Sequence, residues 1–141
     1  MTERTLALIK PDGVSRNLIG EIMKRCEARG LKVIALKMVR LTNEAAQGFY
    51  IVHREQPFYR SLAASMSSGP IVAAVLEGEG AIAAYRELMG ATDPAKAAPG
   101  TIRAALGVGL EQNTVHGSDS PQSAAFEVPY FFSSIELSAR G

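Results

Sequence analysis

His116 stands in the run Asn113-Thr114-Val115-His116-Gly117-Ser118-Asp119-Ser120-Pro121, between a stretch of strand character and a helix start signalled by Ser120 and Pro121. A side chain at such a corner projects from a rigid support toward a helix terminus that favours anions. The segment alone leaves two readings open, an imidazole facing an anionic ligand or an ordinary polar turn residue. The second histidine, His53, falls on the apolar stripe of a predicted helix and reads as a packed or rim residue. Three cations stand near predicted element ends: Lys10 closing the first strand, Arg86 on a long helix, and Arg103 in a loop. Taken singly, each reads as a solvated surface charge. Gathered around His116 they would make a phosphate site, because guanidinium forks and a lysine point charge are the usual clamps for phosphoryl groups. Phe58, following Pro57 at a helix start, reads from its position as core packing.

Composition restricts what these residues can serve. The chain has 141 residues with 15 Lys+Arg against 14 Asp+Glu, a formal net charge of +1. That length suits one domain, which would bury roughly 68% of the surface its unfolded form exposes. Hydrophobic residues make up 47% and charged residues 21%, which excludes a disordered or fibrous chain. The near-zero charge argues against a DNA-coating or membrane-surface protein, although local cations could still hold a small phosphate ligand. The single cysteine, Cys26, precludes an internal disulfide or a cysteine-built zinc site, and its apolar helical neighbours make it a small buried hydrophobe. The N-terminus lacks the layout of a signal peptide, and no apolar run approaches the ~18 residues of a membrane span. A cytoplasmic protein is the expectation.

The elements that must position these residues follow from hydropathy. Thr5–Lys10 reads as a strand ended by a turn at Pro11-Asp12-Gly13, and Leu18, Ile19, Ile22, Met23 and Cys26 fall at helical spacing before a stop at Gly30. Residues 31–41 read as a second strand. Thr42 can cap a helix carrying Ala45, Ala46, Phe49, Tyr50 and His53 on one face, and Pro57 fits the first turn of another. Ile71–Leu76 is a continuous apolar run, as in a central strand, and Ala81, Ile82, Tyr85, Leu88 and Met89 form one more amphipathic helix closed by Gly90. Residues 91–112 lose periodicity, and a loop of that length is usually functional or disordered. A short strand near His116 and a helix opened by Ser120 complete the chain. Setting aside the inserted helix pair leaves βαββαβ, a ferredoxin-like α+β sandwich with a four-stranded antiparallel sheet, an arrangement that by itself carries no one function.

Specific segments narrow the choice. The chain resembles the nucleoside diphosphate kinases over essentially its whole length, so that residues 1–141 are expected to form one such domain. The resemblance rests on Glu3-Arg4-Thr5-Leu6-Ala7-Leu8-Ile9-Lys10-Pro11-Asp12-Gly13-Val14, Gly20-Glu21-Ile22, Lys37-Met38, Pro57-Phe58 and Ser68-Gly69-Pro70. It continues through Leu88-Met89-Gly90-Ala91-Thr92-Asp93-Pro94, Ala98-Pro99-Gly100-Thr101-Ile102-Arg103 and the histidine segment 113–121. It implies transfer of the γ-phosphate of a nucleoside triphosphate, typically ATP, to a nucleoside diphosphate by a ping-pong route, with His116 phosphorylated on Nδ1. Glu127 would hold the other ring nitrogen, with Ser118 supporting it and the Tyr50 hydroxyl beside the histidine. Arg86, Thr92 and Arg103 would hold phosphates, Lys10 the phosphates and the sugar 3′-hydroxyl, and Asn113 the sugar. Phe58 would stack on the base, a contact tolerant of base identity. Mg²⁺ would be held by nucleotide phosphates and water rather than directly by the protein, which suits its reluctance to dehydrate. Residues 91–112 would be the nucleotide-binding segment, and the assembly a homo-oligomer, tetramer or hexamer.

Three departures from the family pattern carry expectations of their own. Ala104-Ala105-Leu106 follows Arg103 where a small residue, an aspartate and an aromatic are usual, so an acidic anchor of the loop is missing. Phe126 takes the place of a residue that is usually charged, and Pro129 is expected to end the last helix just after Glu127. The competing class is a binding module. RNA recognition on such a sheet would need exposed strand aromatics, which the runs Thr5–Lys10 and Ile71–Leu76 lack. Specific nucleic-acid binding is therefore not expected.

Overall fold

Four strands, β1 (Thr2–Ile9), β2 (Lys32–Val39), β3 (Ile71–Glu79) and β4 (Val115–Gly117), make one antiparallel sheet in the order β2-β3-β1-β4. The structure is a computed structural model that describes residues 2–140. Helices α1 (Pro11–Ser15) and α2 (Ile19–Ala28) join β1 to β2, α3 (Asn43–Phe49) and α4 (Tyr59–Met66) join β2 to β3, and α5 (Ala81–Met89) and α6 (Ile102–Leu106) precede β4. Helix α7 (Pro121–Phe131) follows β4. This is the ferredoxin-like order expected from hydropathy, with the inserted pair α3 and α4.

Residues 6–9 of β1 and 71–76 of β3 are continuously apolar because both faces of the sheet are covered there. Successive side chains alternate across a strand, so the two strands feed two cores. Ala7, Ile9, Val72, Ala74 and Leu76 pack against Ile22 and Cys26 of α2 and Tyr85 and Met89 of α5. Leu6, Leu8, Ile71, Ala73 and Val75 pack against Ala46 and Phe49 of α3, Ala63 and Met66 of α4, and Phe131. Each large apolar side chain withdrawn from water contributes about 1.5–3 kcal/mol. The second core matters for function, because Lys10 continues the alternation of Leu6 and Leu8. His116 is the register partner of Leu8. Directly opposed residues in a sheet share a face, so both polar side chains emerge on one side at the end of that core.

Several local expectations change in the folded chain. Pro11-Asp12-Gly13 is the first turn of α1 rather than a simple turn, with Pro11 at its start where a missing N–H costs nothing. The second strand is trimmed to Lys32–Val39 and interrupted by a register shift between Val33 and Ala35. Pro57 lies before α4, whose cap is Phe58. Residues 91–112 contain a 3-10 turn at Pro94–Lys96 and helix α6, whose Thr101 cap accepts a hydrogen bond from Ala104 N. A short helix capped this way is too brief to show a period in sequence.

Pro129 does not end α7, which runs to Phe131. The imide ring removes one backbone donor, but Pro129 faces solvent near the end of the helix. Phe131 and Phe132, 8% and 4% exposed, anchor the final turn in the second core and offset the loss. Phe126 is exposed on α7 and stacks at a tilt on Tyr130. Among the described residues, no helix is long and apolar enough to cross a membrane.

Candidate active site

A cleft of about 580 Å³ opens at the end of the second core, between α3–α4 on one side and the segment running from α5 to β4 on the other. His116, Glu127, Tyr50, Lys10, Phe58, Arg86, Thr92, Arg103 and Asn113 all line it. Ser118, the remaining residue singled out from sequence, is buried behind the histidine.

The histidine is held by two elements at once. Ser120 caps α7, its side chain accepting from Ser123 N, and the helix brings Glu127 back over β4. Glu127 Oε1 lies 2.9 Å from His116 Nε2 and accepts a 2.8 Å hydrogen bond from Ser118 Oγ. Ser118 is itself fixed by β1, with its amide donating to Leu6 O and its hydroxyl accepting from Leu6 N. An ionised carboxylate can only accept, so the proton of a neutral imidazole belongs on Nε2 and the Nδ1 lone pair is left free. The Phe49 and Tyr50 rings pack in T-shaped contact with the imidazole at centroid distances of 5.3 and 5.9 Å, which restricts its rotation.

Lys10 lies almost wholly inside the protein and donates a 2.8 Å hydrogen bond to Asn113 Oδ1. Burial, reinforced by the Arg103 charge, lowers its pKa to about 8, while the Asp12 and Glu111 carboxylates pull the other way. Asn113 Nδ2 donates to the Thr92 carbonyl, so lysine, amide and the 91–112 segment form one chain of contacts. Arg103, lowered in pKa mainly by burial, donates from Nη1 to Gly90 O and from Nη2 to Val115 O. Gly90, with φ 85°, ends α5 in a conformation that favours glycine and turns that carbonyl toward the arginine. The Tyr50 hydroxyl and Arg103 Nε are buried without a protein partner among the described residues. Both residues line the cleft, where a bound ligand or water can supply the missing partner. Burial also pushes the Tyr50 phenol well above its ordinary value, so it remains a donor. Phe58 is 43% exposed at the mouth, beside His53 at a ring distance of 5.5 Å.

Sequence reasoning missed a second set. Leu110, Glu111, Asp119 and Ser123 line the cleft, and so does Leu62, which also packs against the second core. Glu111 accepts from Ser61 Oγ at 2.7 and 2.8 Å, tying α4 to the far wall. His53 belongs to a 3-10 turn, Ile51–His53, rather than to the stripe of a helix, and reaches the cleft from there. Just behind Asn113, Thr114 adopts φ 78° and is fully buried, while Val115 N donates to Asn113 O. That hydrogen bond closes a γ-turn of the rare positive-φ kind. A β-branched residue held there costs about 1–3 kcal/mol. Nothing in the residue type announces it, since threonine is not a left-handed residue.

A histidine tied to a carboxylate among cations, with an exposed aromatic ring at the mouth, has the chemistry of a phosphotransferase. Such cations suit a phosphate ester, and the exposed ring suits a flat group stacked on it. The family profile described as nucleoside diphosphate kinase matches residues 3–137. A nucleoside diphosphate kinase of Nitratidesulfovibrio vulgaris (strain DP4) is 58% identical over 137 residues, 97% of this chain and 99% of its own. One from Geotalea daltonii is 58% identical over 135 residues, covering 96% and 98%. The crystal structure of the Aquifex aeolicus nucleoside diphosphate kinase superposes with a TM-score of 0.95 at 48% identity, covering 97% of this chain and 99% of that one. The halophilic enzyme from Halobacterium salinarum, solved in complex with CDP, gives a TM-score of 0.96 at 43% identity, covering 100% and 94%. The chain belongs to the nucleoside diphosphate kinase family. That membership makes it an enzyme of phosphotransfer between nucleoside triphosphates and nucleoside diphosphates.

Proposed function

We propose that the cleft moves the γ-phosphate of a nucleoside triphosphate onto a nucleoside diphosphate in two half-reactions, with His116 as the carrier. In the first, Nδ1 attacks the γ-phosphorus, a P–N bond forms, the bond to the β-phosphate oxygen breaks, and the nucleoside diphosphate leaves. In the second, a terminal oxygen of another diphosphate attacks the same phosphorus and the P–N bond breaks. The observation that carries this reading is the Glu127–His116 contact at 2.9 Å, which leaves Nδ1 as the basic nitrogen. Ser118 supports Glu127. The imidazole gains positive character as the P–N bond forms, and the Glu127 carboxylate stabilises it.

Arg86, Arg103, Thr92 and the Tyr50 hydroxyl receive the phosphates, and fixed positive charge needs no reorganisation as the phosphoryl group passes. Lys10 holds phosphate and the sugar 3′-hydroxyl, and Asn113 the sugar. Phe58 stacks on the base and reads no base edge, so purine and pyrimidine nucleotides are both accommodated. The carboxylates Glu111 and Asp119 line the same cleft as the cations, and hard oxygen donors of this kind suit an Mg²⁺ ion held mainly by phosphates and water. When bound with the nucleotide, Mg²⁺ neutralises phosphate charge. We read the working form as a cytoplasmic homo-oligomer, tetramer or hexamer, and Leu36 and Met38, 53% and 55% exposed on the edge strand β2, support association. A monomer in sedimentation at micromolar concentration would contradict it.

The central test is incubation with γ-labelled ATP and Mg²⁺ without acceptor, beside His116→Ala. The expected label is acid-labile, alkali-stable, absent from the variant and released by any nucleoside diphosphate. A folded, nucleotide-binding protein that takes no label would overturn the reading.

A further inference from the structure

Thr114 Oγ1 sits at the centre of a polar cluster that the reaction itself does not use. It lies 2.9 Å from Asp12 Oδ2, to which it donates, and 3.1 Å from Arg16 Nη2, which donates to it. Arg16 also reaches Asp12 through Nη2 at 3.3 Å and donates to the Leu106 carbonyl. The Thr114 carbonyl accepts from Lys10 N at 2.8 Å. Three separate pieces of chain therefore converge on one threonine: the start of α1, the end of α6 and the turn before β4.

We propose that Thr114, clamped by Asp12 and Arg16, is a positioning residue that holds the γ-turn and thereby aims Asn113 and Lys10 at the nucleotide sugar. The argument is geometric. A γ-turn with positive φ at a β-branched residue relaxes unless its surroundings over-determine it. Here the side chain is locked by an acceptor and a donor, and the carbonyl by the Lys10 amide. The residue immediately before the turn is Asn113, whose side chain meets Lys10 Nζ at 2.8 Å and the Thr92 carbonyl at 3.1 Å. Releasing the hydroxyl lets the turn relax and swings that amide away from Lys10. The Arg16 contact with Leu106 O ties down the end of α6, the helix that carries Arg103, at the place where the acidic anchor is absent.

This inference rests on the assignment of Lys10 and Asn113 to the sugar, and the experiment separates the two. Equilibrium binding of ADP and 3′-deoxy-ADP is measured for the unsubstituted chain, Thr114→Val and Thr114→Ser. Valine keeps the shape and loses the hydroxyl, and serine restores it. The expected result is a loss of ADP affinity of about 10- to 100-fold in Thr114→Val, the scale of an ångström-sized misplacement. Affinity for 3′-deoxy-ADP falls much less, by the share of the Lys10 phosphate contact alone, and Thr114→Ser behaves like the parent for both. Equal losses for the two nucleotides, or none, overturn the proposal. Should Thr114→Val not fold, Asp12→Ala, which removes the acceptor of the Thr114 hydroxyl and leaves the Arg16 contact with α6 in place, is expected to show the same selective loss in weaker form. Equal losses there also overturn the proposal. An unsubstituted chain that binds the two nucleotides alike overturns the sugar assignment and this inference together.

Discussion

Glu127 Oε1 lies 2.9 Å from His116 Nε2, although eleven residues and a strand-to-helix corner separate the two. The corner is built by the Ser120 cap and Pro121, which start α7 at a fixed angle to β4. Ser118, anchored to β1, supplies the second donor to the same oxygen. The reactive nitrogen is thereby chosen before any substrate arrives.

Replacing Glu127 by glutamine should keep the shape and remove that choice, because an amide can donate as well as accept. The rate of His116 phosphorylation, measured by rapid quench with labelled ATP, is expected to fall by about 10²-fold or more, by the same logic that makes a carboxylate-to-amide change costly in other histidine enzymes. ADP affinity should hardly change. A loss of affinity as large as the loss of rate would show that Glu127 acts on binding instead.

Lys10 makes nucleotide binding pH-dependent in a defined direction. Its pKa in the folded chain is about 8 against an ordinary 10.5, chiefly because burial penalises the charge. Affinity for ADP in the free enzyme should therefore weaken as the pH rises through about 8, and this limb should be missing in Lys10→Met. Between the two values the unfolded chain holds a proton that the folded one has lost, so the same group makes stability rise with pH across that window. Chemical denaturation at several pH values in that range, compared with Lys10→Met, measures it.

Phe58 is expected to contribute base stacking without base selection. Phe58→Ala should weaken ADP, GDP, CDP and UDP alike, each by about 1–3 kcal/mol. A loss confined to one base, read by competition binding, would mean that the ring discriminates.

Gly13 lies beneath the strained turn. A Cβ there would meet Ile9 Cγ2 at 2.8 Å and Thr114 Cγ2 at 2.9 Å, closer than side chains pack. Gly13→Ala should destabilise the fold by about 1–3 kcal/mol, lowering Tm by roughly 4 °C for each kcal/mol. A melt indistinguishable from the parent's would mean that the turn gives way without cost.

Much of this was legible in the residues. The apolar runs of β1 and β3, the Thr42 and Ser120 caps and the Gly90 stop follow local rules that short peptides already obey. Individual site residues could be named from a resemblance, yet no period or spacing brings Lys10 to Asn113 across 103 residues. Helix α6 is not legible because five residues are too few to show a period, Pro57 stands outside α4 because Phe58 takes the cap, and Pro129 is tolerated because two buried phenylalanines hold the last turn.

By itself, then, the amino-acid sequence determined the elements, the two-faced sheet and the segment that carries His116, since these depend on side-chain period and backbone preference over neighbouring residues. Only the tertiary structure decided which nitrogen of that histidine is free, how far the Lys10 charge is destabilised, and that Thr114 is forced into a positive-φ turn by Asp12 and Arg16. Each of these is set by partners distant in the chain acting through hydrogen bonds and desolvation, which depend on distances in space that the folded sheet alone creates.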